Sequence, residues 1–323
     1  MSCLSIPKVS VVIPAYNAMH YLPETVGSVL VQTLTDFEVL VVDDGSTDGI
    51  AEWMGQQTDS RLRMISQHNQ GQATARNTGI LYARSEYIAF LDADDLWKPS
   101  KLEKQVSYLD THPEMGLVYT WTALADQIGR PTGRVVSSHA EGYVWEKIVE
   151  FNMVGCGSTP LVRRSCFDLI GLFIPELSPA EDWDMWIRIA AQFPFGVIKE
   201  PLVLYRQHRE SSSSQCELML KTSSAVIERA FANAQSEFPY LKHRSYASLS
   251  LYLGWKALRN MDFSQAQWFQ RKAIAHYPLL YFSPTNIRLG LGIFLMRWFG
   301  AGTYTKLLGF LYNIRRSLTK HSG

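Results

Sequence analysis

Along the first half of the chain, short apolar runs rich in β-branched residues alternate with stretches of helical spacing. The runs at 9–13 (VSVVI), 37–42 (FEVLVV) and 87–91 (YIAFL) predict buried strands, and 62–66 a short further strand. Between the first two, Leu22, Val26, Val29 and Leu30 recur at helical intervals and predict a helix within 21–34 with one face on a sheet. Ile50, Trp53 and Met54 mark a second amphipathic segment, and 72–83 reads as a third helix leading into the strand at 87–91. Strand, helix, strand, helix in this order predicts a largely parallel α/β sheet with helices on both faces. In such sheets ligands bind beyond the carboxyl ends of the strands.

The pattern continues with a helix at 99–109, proline-led, and a strand at 117–121. Residues 126–142, rich in glycine, serine and proline, read as a mobile loop or hairpin, and the uncharged run 156–162 as a segment to hold a second substrate. A further helix opens at 180–186 (AEDWDMW), with Trp183, Trp186, Ile187, Ile189 and Ala190 on its apolar positions. The serines at 211–214 mark a boundary. This divides the chain into a body over 1–213, whose halves are about 1–100 and 101–213, and a helical region over 214–323. Within the latter, 244–278 resembles one tetratricopeptide-like helical hairpin, through Gly254, Ala257, the Asp262-Phe263 turn, Ala266, Ala273 and Pro278. A single repeat cannot form a solenoid, so the hairpin is expected to pack on the body.

The length of 323 residues accommodates one large core with an appended piece, or two domains, and the apolar content of 46% excludes a disordered chain. A formal net charge of +1 conceals an asymmetry. Residues 1–210 carry 17 Lys and Arg against 26 Asp and Glu, whereas 211–323 carry 14 against 4. The four cysteines, Cys3, Cys156, Cys166 and Cys216, form no CxxC pair, which favours a reduced, cytoplasmic setting. The start of the chain reads as a strand and not as a secretory leader, and no run of about 18 apolar residues predicts a membrane span.

Chemistry concentrates at the strand ends. Asp92 and Asp94 follow the run at 87–91, and an extended backbone would turn both to one side and Ala93 away. Two carboxylates so close need a cation between them or a retained proton. A hard divalent ion suits these oxygens and phosphate oxygens as well. The segments 14–17 and 43–48 also follow strands, so three polar loops should meet at one rim of the sheet. Asp44 could accept hydrogen bonds from a base or a ribose, or form an Asx turn into the next helix. Glu181, Asp182 and Asp184 exceed what a helix dipole requires, and with Trp183 and Trp186 they suggest a site with an aromatic wall suited to a sugar ring.

Taken together, VSVVIPAYN (9–17), VLVVDDGSTD (39–48), NQGQATARNTGI (69–80), YIAFLDADD (87–95), EDWDMW (181–186) and YRQHRESSS (205–213) resemble the family-2 glycosyltransferases, in the family's order and over about residues 7–213. The resemblance implies a GT-A fold and inverting transfer of a sugar from a nucleotide-diphosphate donor, by family frequency a UDP-sugar, to a hydroxyl acceptor. It implies that Pro14, Ala15, Tyr16, Asn17 and Asp44 border the nucleotide base, and that Asp92 of the Asp92-Ala93-Asp94 triplet lies near the ribose. Asp94 would hold Mn²⁺ or Mg²⁺ at the diphosphate, with His208 as a further metal or diphosphate contact. Asp182 would be the catalytic base, Glu181 and Trp183 would lie on the acceptor side, and Arg76 would lie beside the donor.

The tail narrows the partners. Residues 276–323 hold six Lys and Arg, no acidic residue, and the apolar clusters IRLGLGIFLMRWF and LLGFLYNIRRSL. This pattern suits helices lying on an anionic membrane, or a helical cap with a solvated basic face. No recognition motif points to nucleic acid. A glycan or lipid-linked acceptor for cell-envelope synthesis, reached peripherally at the inner face of the plasma membrane, is the consistent expectation. A nucleotidyltransferase on a related sheet and a non-catalytic nucleotide-sugar-binding subunit are the rival readings.

Overall fold

Val9–Ala15 (β1), Phe37–Asp43 (β2), Leu62–Ser66 (β3) and Tyr87–Phe90 (β4) pair in parallel in the order β3-β2-β1-β4. This computed structural model describes residues 6–207, 216–232, 239–300 and 302. Every residue of β1, β2 and β4 is buried, which explains why these strands carry continuous apolar runs and not alternation. Helices Leu22–Leu30 (α1), Ile50–Gly55 (α2) and Gln72–Tyr82 (α3) connect them. Leu22, Val26 and Val29 share a core with Val9, Val11 and Ile13, and Ala73 and Ile80 share another with Val12, Leu40 and Val42. The sheet is thus covered on both faces. α3 approaches β1 so closely that a Cβ on Gly79 would lie 2.1 Å from Val12 Cγ1.

The second half is more mixed than the sequence suggests. After Leu96–Trp97 (β5) and Lys101–Thr111 (α4), Leu117–Ala125 (β6) turns back through Asp126–Arg130 into Pro131–Val136 (β7), antiparallel to β6. The segment 126–142 is therefore a hairpin followed by a short connection. Trp145–Glu150 (α5) leads to Leu161–Arg163 (β8), which lies antiparallel between β4 and β6. The run at 156–162 thus ends inside the sheet, with Ser158, Thr159, Leu161 and Val162 fully buried, and cannot serve along its whole length as a substrate platform. Arg164–Ile170 (α6), Glu181–Ala190 (α7) and Phe195–Arg206 (β9) complete the body. β9 is parallel to β6 and antiparallel to β5.

Cys216–Ala232 (α8), Pro239–Arg259 (α9) and Phe263–His276 (α10) form the helical region, followed by a 3-10 turn at Pro278–Phe282 and a helix over 284–300. α9 and α10 form the expected hairpin, and the Asp262 carboxylate caps α10 by accepting from the Gln265 amide at 2.9 Å. Gly254 faces α10 at ordinary contact distance, a Cβ there lying 3.5 Å from the Ala266 carbonyl oxygen, and its tight neighbour is Leu289, whose Cδ2 would be 2.9 Å away. The hairpin packs on the body, where Arg244 pairs with Glu150 of α5 at 2.7 Å. Among the described residues no helix is long and apolar enough to cross a membrane.

Candidate active site

The loops after β1 and β2 are stitched together. The Asn17 amide donates to Ser46 Oγ at 3.0 Å, and Asn17 Oδ1 accepts from the Thr47 amide at 2.8 Å. Asn17 adopts φ 48°, a left-handed conformation that its short polar side chain tolerates. Ala15 is buried and Tyr16 is 54% exposed. Asp44 does not form the Asx turn weighed for it from sequence. Its Oδ1 accepts from the Gln70 amide (2.9 Å) and Gln67 Nε2 (2.7 Å), and its Oδ2 from the Gly71 amide (2.8 Å). Both oxygens are committed to anchoring 67–71 beside the strand tips. The Asx turn belongs instead to Asp43, which accepts from the Ser46 amide at 3.0 Å.

The acidic loop after β4 is a turn and not an extended continuation of the strand. β4 ends at Phe90, and the Asp95 amide donates to the Asp92 carbonyl at 3.0 Å. Ala93 is buried, and its carbonyl accepts from Thr25 Oγ1 at 2.8 Å. Asp92 Oδ1 accepts from Arg76 Nη2 at 2.6 Å and from Gln72 Nε2 at 2.9 Å. Asp95, fully buried, accepts from Ser158 Oγ (2.5 Å) and from the Arg206 amide (3.1 Å). Arg206 also donates from Nε to the Asp94 carbonyl and pairs with Glu24, so the end of β9 clamps this turn. Burial, opposed by Arg76 and reinforced by Asp94, raises the Asp92 carboxyl. Burial and then Asp94 and Asp92 push Asp95 well above the usual carboxylate range.

Across the site, the three carboxylates that open α7 separate. Glu181, buried, accepts from Arg76 Nη1 at 2.6 Å. The Arg76 guanidinium, itself buried, therefore bridges Asp92 and Glu181. Asp184 pairs with Arg188 at 2.7 Å and with Arg229 of α8 at 3.4 Å, a tie between body and helical region. Asp182, half-buried, opens onto a cavity that Glu181 also lines, and accepts from the Trp183 amide at 2.6 Å and more distantly from Asn152 Nδ2 at 3.4 Å. Burial first, then Glu181, pushes its carboxyl up to about 7 against the pull of Arg76. A half-protonated carboxylate near neutrality is suited to accepting a proton.

That cavity holds about 510 Å³. It collects Arg76, Asp92, Asp94, Glu181, Asp182 and Trp183, six of the residues singled out from sequence. Trp183 is anchored by Nε1 donating to the Ile148 carbonyl at 2.6 Å, whereas Trp186 is wholly buried against Phe90 and Phe173 and belongs to the core. The loop 14–17 and Asp44 do not line this cavity and lie at the neighbouring strand tips. His208 lies outside the described residues. Sequence reasoning missed Gln72, Asn152, Ser158 and Arg206, whose polar atoms orient the acidic groups. Gln72 and Arg206 sat inside recognised motifs and Ser158 inside the run at 156–162, but Asn152 carried no local signal. It also missed the far wall, which α9 supplies through Leu249, Tyr252 and Arg259.

Among the described residues no group of three or more His, Cys, Asp or Glu is arranged to hold a metal by itself. Asp92 and Asp94 nevertheless bring hard oxygen donors to one wall, with Asp95 buried in the same turn, and burial first, then repulsion from Asp94, raises Asp92 and Asp95. A divalent cation at Asp94 would relieve that repulsion, with oxygens of a bound diphosphate completing its coordination. The residues fit such an ion.

A family model described as Glycosyl transferase family 2 matches residues 10–167. The chain is 32% identical over 213 residues to the putative teichuronic acid biosynthesis glycosyltransferase TuaG of Bacillus subtilis, covering 64% of this chain and 82% of that one. It is 35% identical over 203 residues to an uncharacterized glycosyltransferase of Rickettsia felis, covering 60% of this chain and 32% of that protein. It is also 32% identical over 215 residues to the chondroitin synthase of Escherichia coli, covering 64% and 30%. The chain spans about a third of the length of the first of these curated relatives it matches. Among solved structures, S. aureus TarS 1–349 in complex with UDP-GlcNAc has a TM-score of 0.56 at 18% identity, covering 84% of this chain and 89% of that chain. The mannosyltransferase PcManGT from Pyrobaculum calidifontis, in complex with GDP-Man and Mn²⁺, has a TM-score of 0.62 at 20% identity, covering 96% and 86%. These two share the GT-A-like fold. The motifs at the strand tips, the matching family model and the extent of the likeness to TuaG together show that the chain belongs to glycosyl transferase family 2.

Proposed function

We propose that the protein is a divalent-metal-dependent, inverting glycosyltransferase. It would move a sugar from a nucleotide-diphosphate donor to a hydroxyl of a glycan or lipid-linked acceptor in cell-envelope polysaccharide or glycolipid synthesis. The observation that carries this reading is one cavity lined both by Asp94 of the acidic turn and by Asp182, whose carboxyl burial pushes up to about 7.

Asp182 takes the proton of the acceptor hydroxyl as it attacks the anomeric carbon, and one such base suffices for a single in-line displacement, which inverts that centre. Trp183 and Tyr252 offer aromatic faces to sugar rings on the acceptor side. Arg76 holds Glu181 and Asp92 in place through its two ion pairs, beside the Asp182 carboxyl that burial pushes up. The loop 14–17 and Asp44 border the base and Asp92 lies towards the ribose, with Asp44 also anchoring the 67–71 loop. Asp94, with His208, would hold Mn²⁺ or Mg²⁺, which when bound neutralises the charge gathering on the departing diphosphate.

TarS and PcManGT were solved with UDP-GlcNAc and GDP-Man, so both nucleotides belong in the test. A panel of UDP- and GDP-sugars with Mn²⁺ and envelope lipid acceptors, read as nucleoside-diphosphate release, should show turnover with one donor. Silence across the panel would sink the proposal, and pyrophosphate in place of nucleoside diphosphate would mark a nucleotidyltransferase.

A further inference from the structure

The helix over 284–300 carries two apolar stripes. Leu289, Ile293 and Met296 are buried, and a Cβ on Gly254 of α9 would lie 2.9 Å from Leu289 Cδ2. Packing on α9 accounts for that stripe. It leaves Ile287, Leu291, Phe294 and Trp298, which recur at helical spacing on another face and are 55, 52, 53 and 70% exposed. A helix that has buried one side gains nothing in water from a second apolar side, and contiguous exposed apolar surface marks an interaction site.

Charge identifies the occupant. From Phe263 to the end of the chain there are eight Lys and Arg and no Asp or Glu. Arg288 and Arg297 lie at the two ends of the exposed stripe. Aromatic and aliphatic side chains bordered by cations alone are the composition of helices that lie in the interface of an anionic bilayer. A second copy of this face would bring like charges together. The sequence of 303–323 adds four further cations and no acid, so it repeats this chemistry and does not complement it.

We infer that this face of helix 284–300 docks on an anionic lipid surface, in the plane of the membrane and not across it. The inference deepens the proposed function by naming the surface from which a lipid-linked acceptor would be presented, and rests on that reading only in this respect. α9 carries Leu249, Tyr252 and Arg259 in the cavity wall and Gly254 against the docking helix, so α9 alone lies between the docking helix and the acceptor side.

The test is co-sedimentation of the full chain with vesicles of equal parts phosphatidylglycerol and phosphatidylcholine, and with phosphatidylcholine alone. Phe294→Glu and Trp298→Glu are compared with Tyr143→Glu, a control at an 84% exposed position on the body. The wild type and the control should pellet with the anionic vesicles and far less with the neutral ones, and each helix variant should lose roughly tenfold in partition. Equal pelleting of all four proteins, equal pelleting on both vesicles, or no pelleting overturns the inference. So does a solution dimer that Trp298→Glu dissolves without any lipid binding, which would assign the face to a second copy. Nucleoside-diphosphate release with a water-soluble acceptor should be unchanged in Trp298→Glu, so failure of docking and failure of the catalytic reading are distinguished.

Discussion

Arg76 and Glu181 lie 105 residues apart in the chain and 2.6 Å apart in space, and the other arm of the same guanidinium holds Asp92 at the same distance. The donor-side turn and the first residue of α7 are therefore joined through one buried cation. Removing it would strand two carboxylates in a desolvated wall. Arg76→Met should lower stability in urea by about 3–5 kcal/mol, the range for breaking a buried ion pair from one side. Arg76→Lys should recover only part, because an ammonium lacks the planar fork that meets two carboxylates at once.

The pH dependence of turnover follows from Asp182. A base must be ionised to act, and this carboxyl is pushed up to about 7. The rate constant kcat/KM should therefore rise with pH through a limb near 7 and level off above it. Asp182→Asn should remove that limb and lower kcat by roughly 10²-fold or more, with donor binding retained in calorimetry.

The same substitution should have an opposite signature in stability. Burial holds the folded Asp182 carboxyl at about 7, above the usual carboxylate range, so the folded chain binds its proton more tightly than the unfolded one. The stability this contributes is fully present below about pH 4 and is lost as the pH rises through about 7. At pH 8 the Asn variant should be more stable than the wild type by on the order of 1–3 kcal/mol, and at pH 4 the two should converge. Thermal melts at the two pH values decide this.

Gly157 tests the packing behind the acidic turn. A Cβ there would lie 2.7 Å from Arg76 Nη2, which Asp92 already holds at 2.6 Å and which cannot retreat without breaking that pair. Gly157→Ala should cost about 1–3 kcal/mol and reduce kcat/KM, whereas alanine at Gly27, where nothing lies within 4 Å, should be silent in the activity assay.

Chelation provides a further check. EDTA should abolish nucleoside-diphosphate release, and Mn²⁺ or Mg²⁺ should restore it. Asp94→Asn should raise the metal concentration needed for half-maximal turnover by about tenfold or more, the loss of one carboxylate ligand.

Much of the site's inventory was readable from the chain because buried parallel strands leave long apolar runs, and the polar residues after them must lie at the sheet's rim. The runs at 9–13, 37–42 and 87–91 became β1, β2 and β4, and the acidic triplet followed the last of them. β8 escaped detection because three residues, Leu161–Arg163, carry no period, and its antiparallel insertion depends on neighbours remote in sequence. The alternation argument for Asp92 and Asp94 assumed an extended backbone through both, whereas β4 ends at Phe90, yet both still reach one cavity because the turn is clamped by Ser158 and Arg206.

Local chemistry settled which kinds of group occupy the rim: oxygen donors after the strands, acids at the start of α7, a basic and apolar tail. It was silent on how those charges are shared out. Glu181, Asp182 and Asp184 are near-identical neighbours in the chain, but helical geometry turns them apart, towards Arg76, the cavity and the Arg188–Arg229 pair. A carboxylate's proton affinity depends on its solvation and on the charges around it, which chain folding brings from distant segments. Three similar acids thus became a tether, a candidate base and a brace through the company each was folded into.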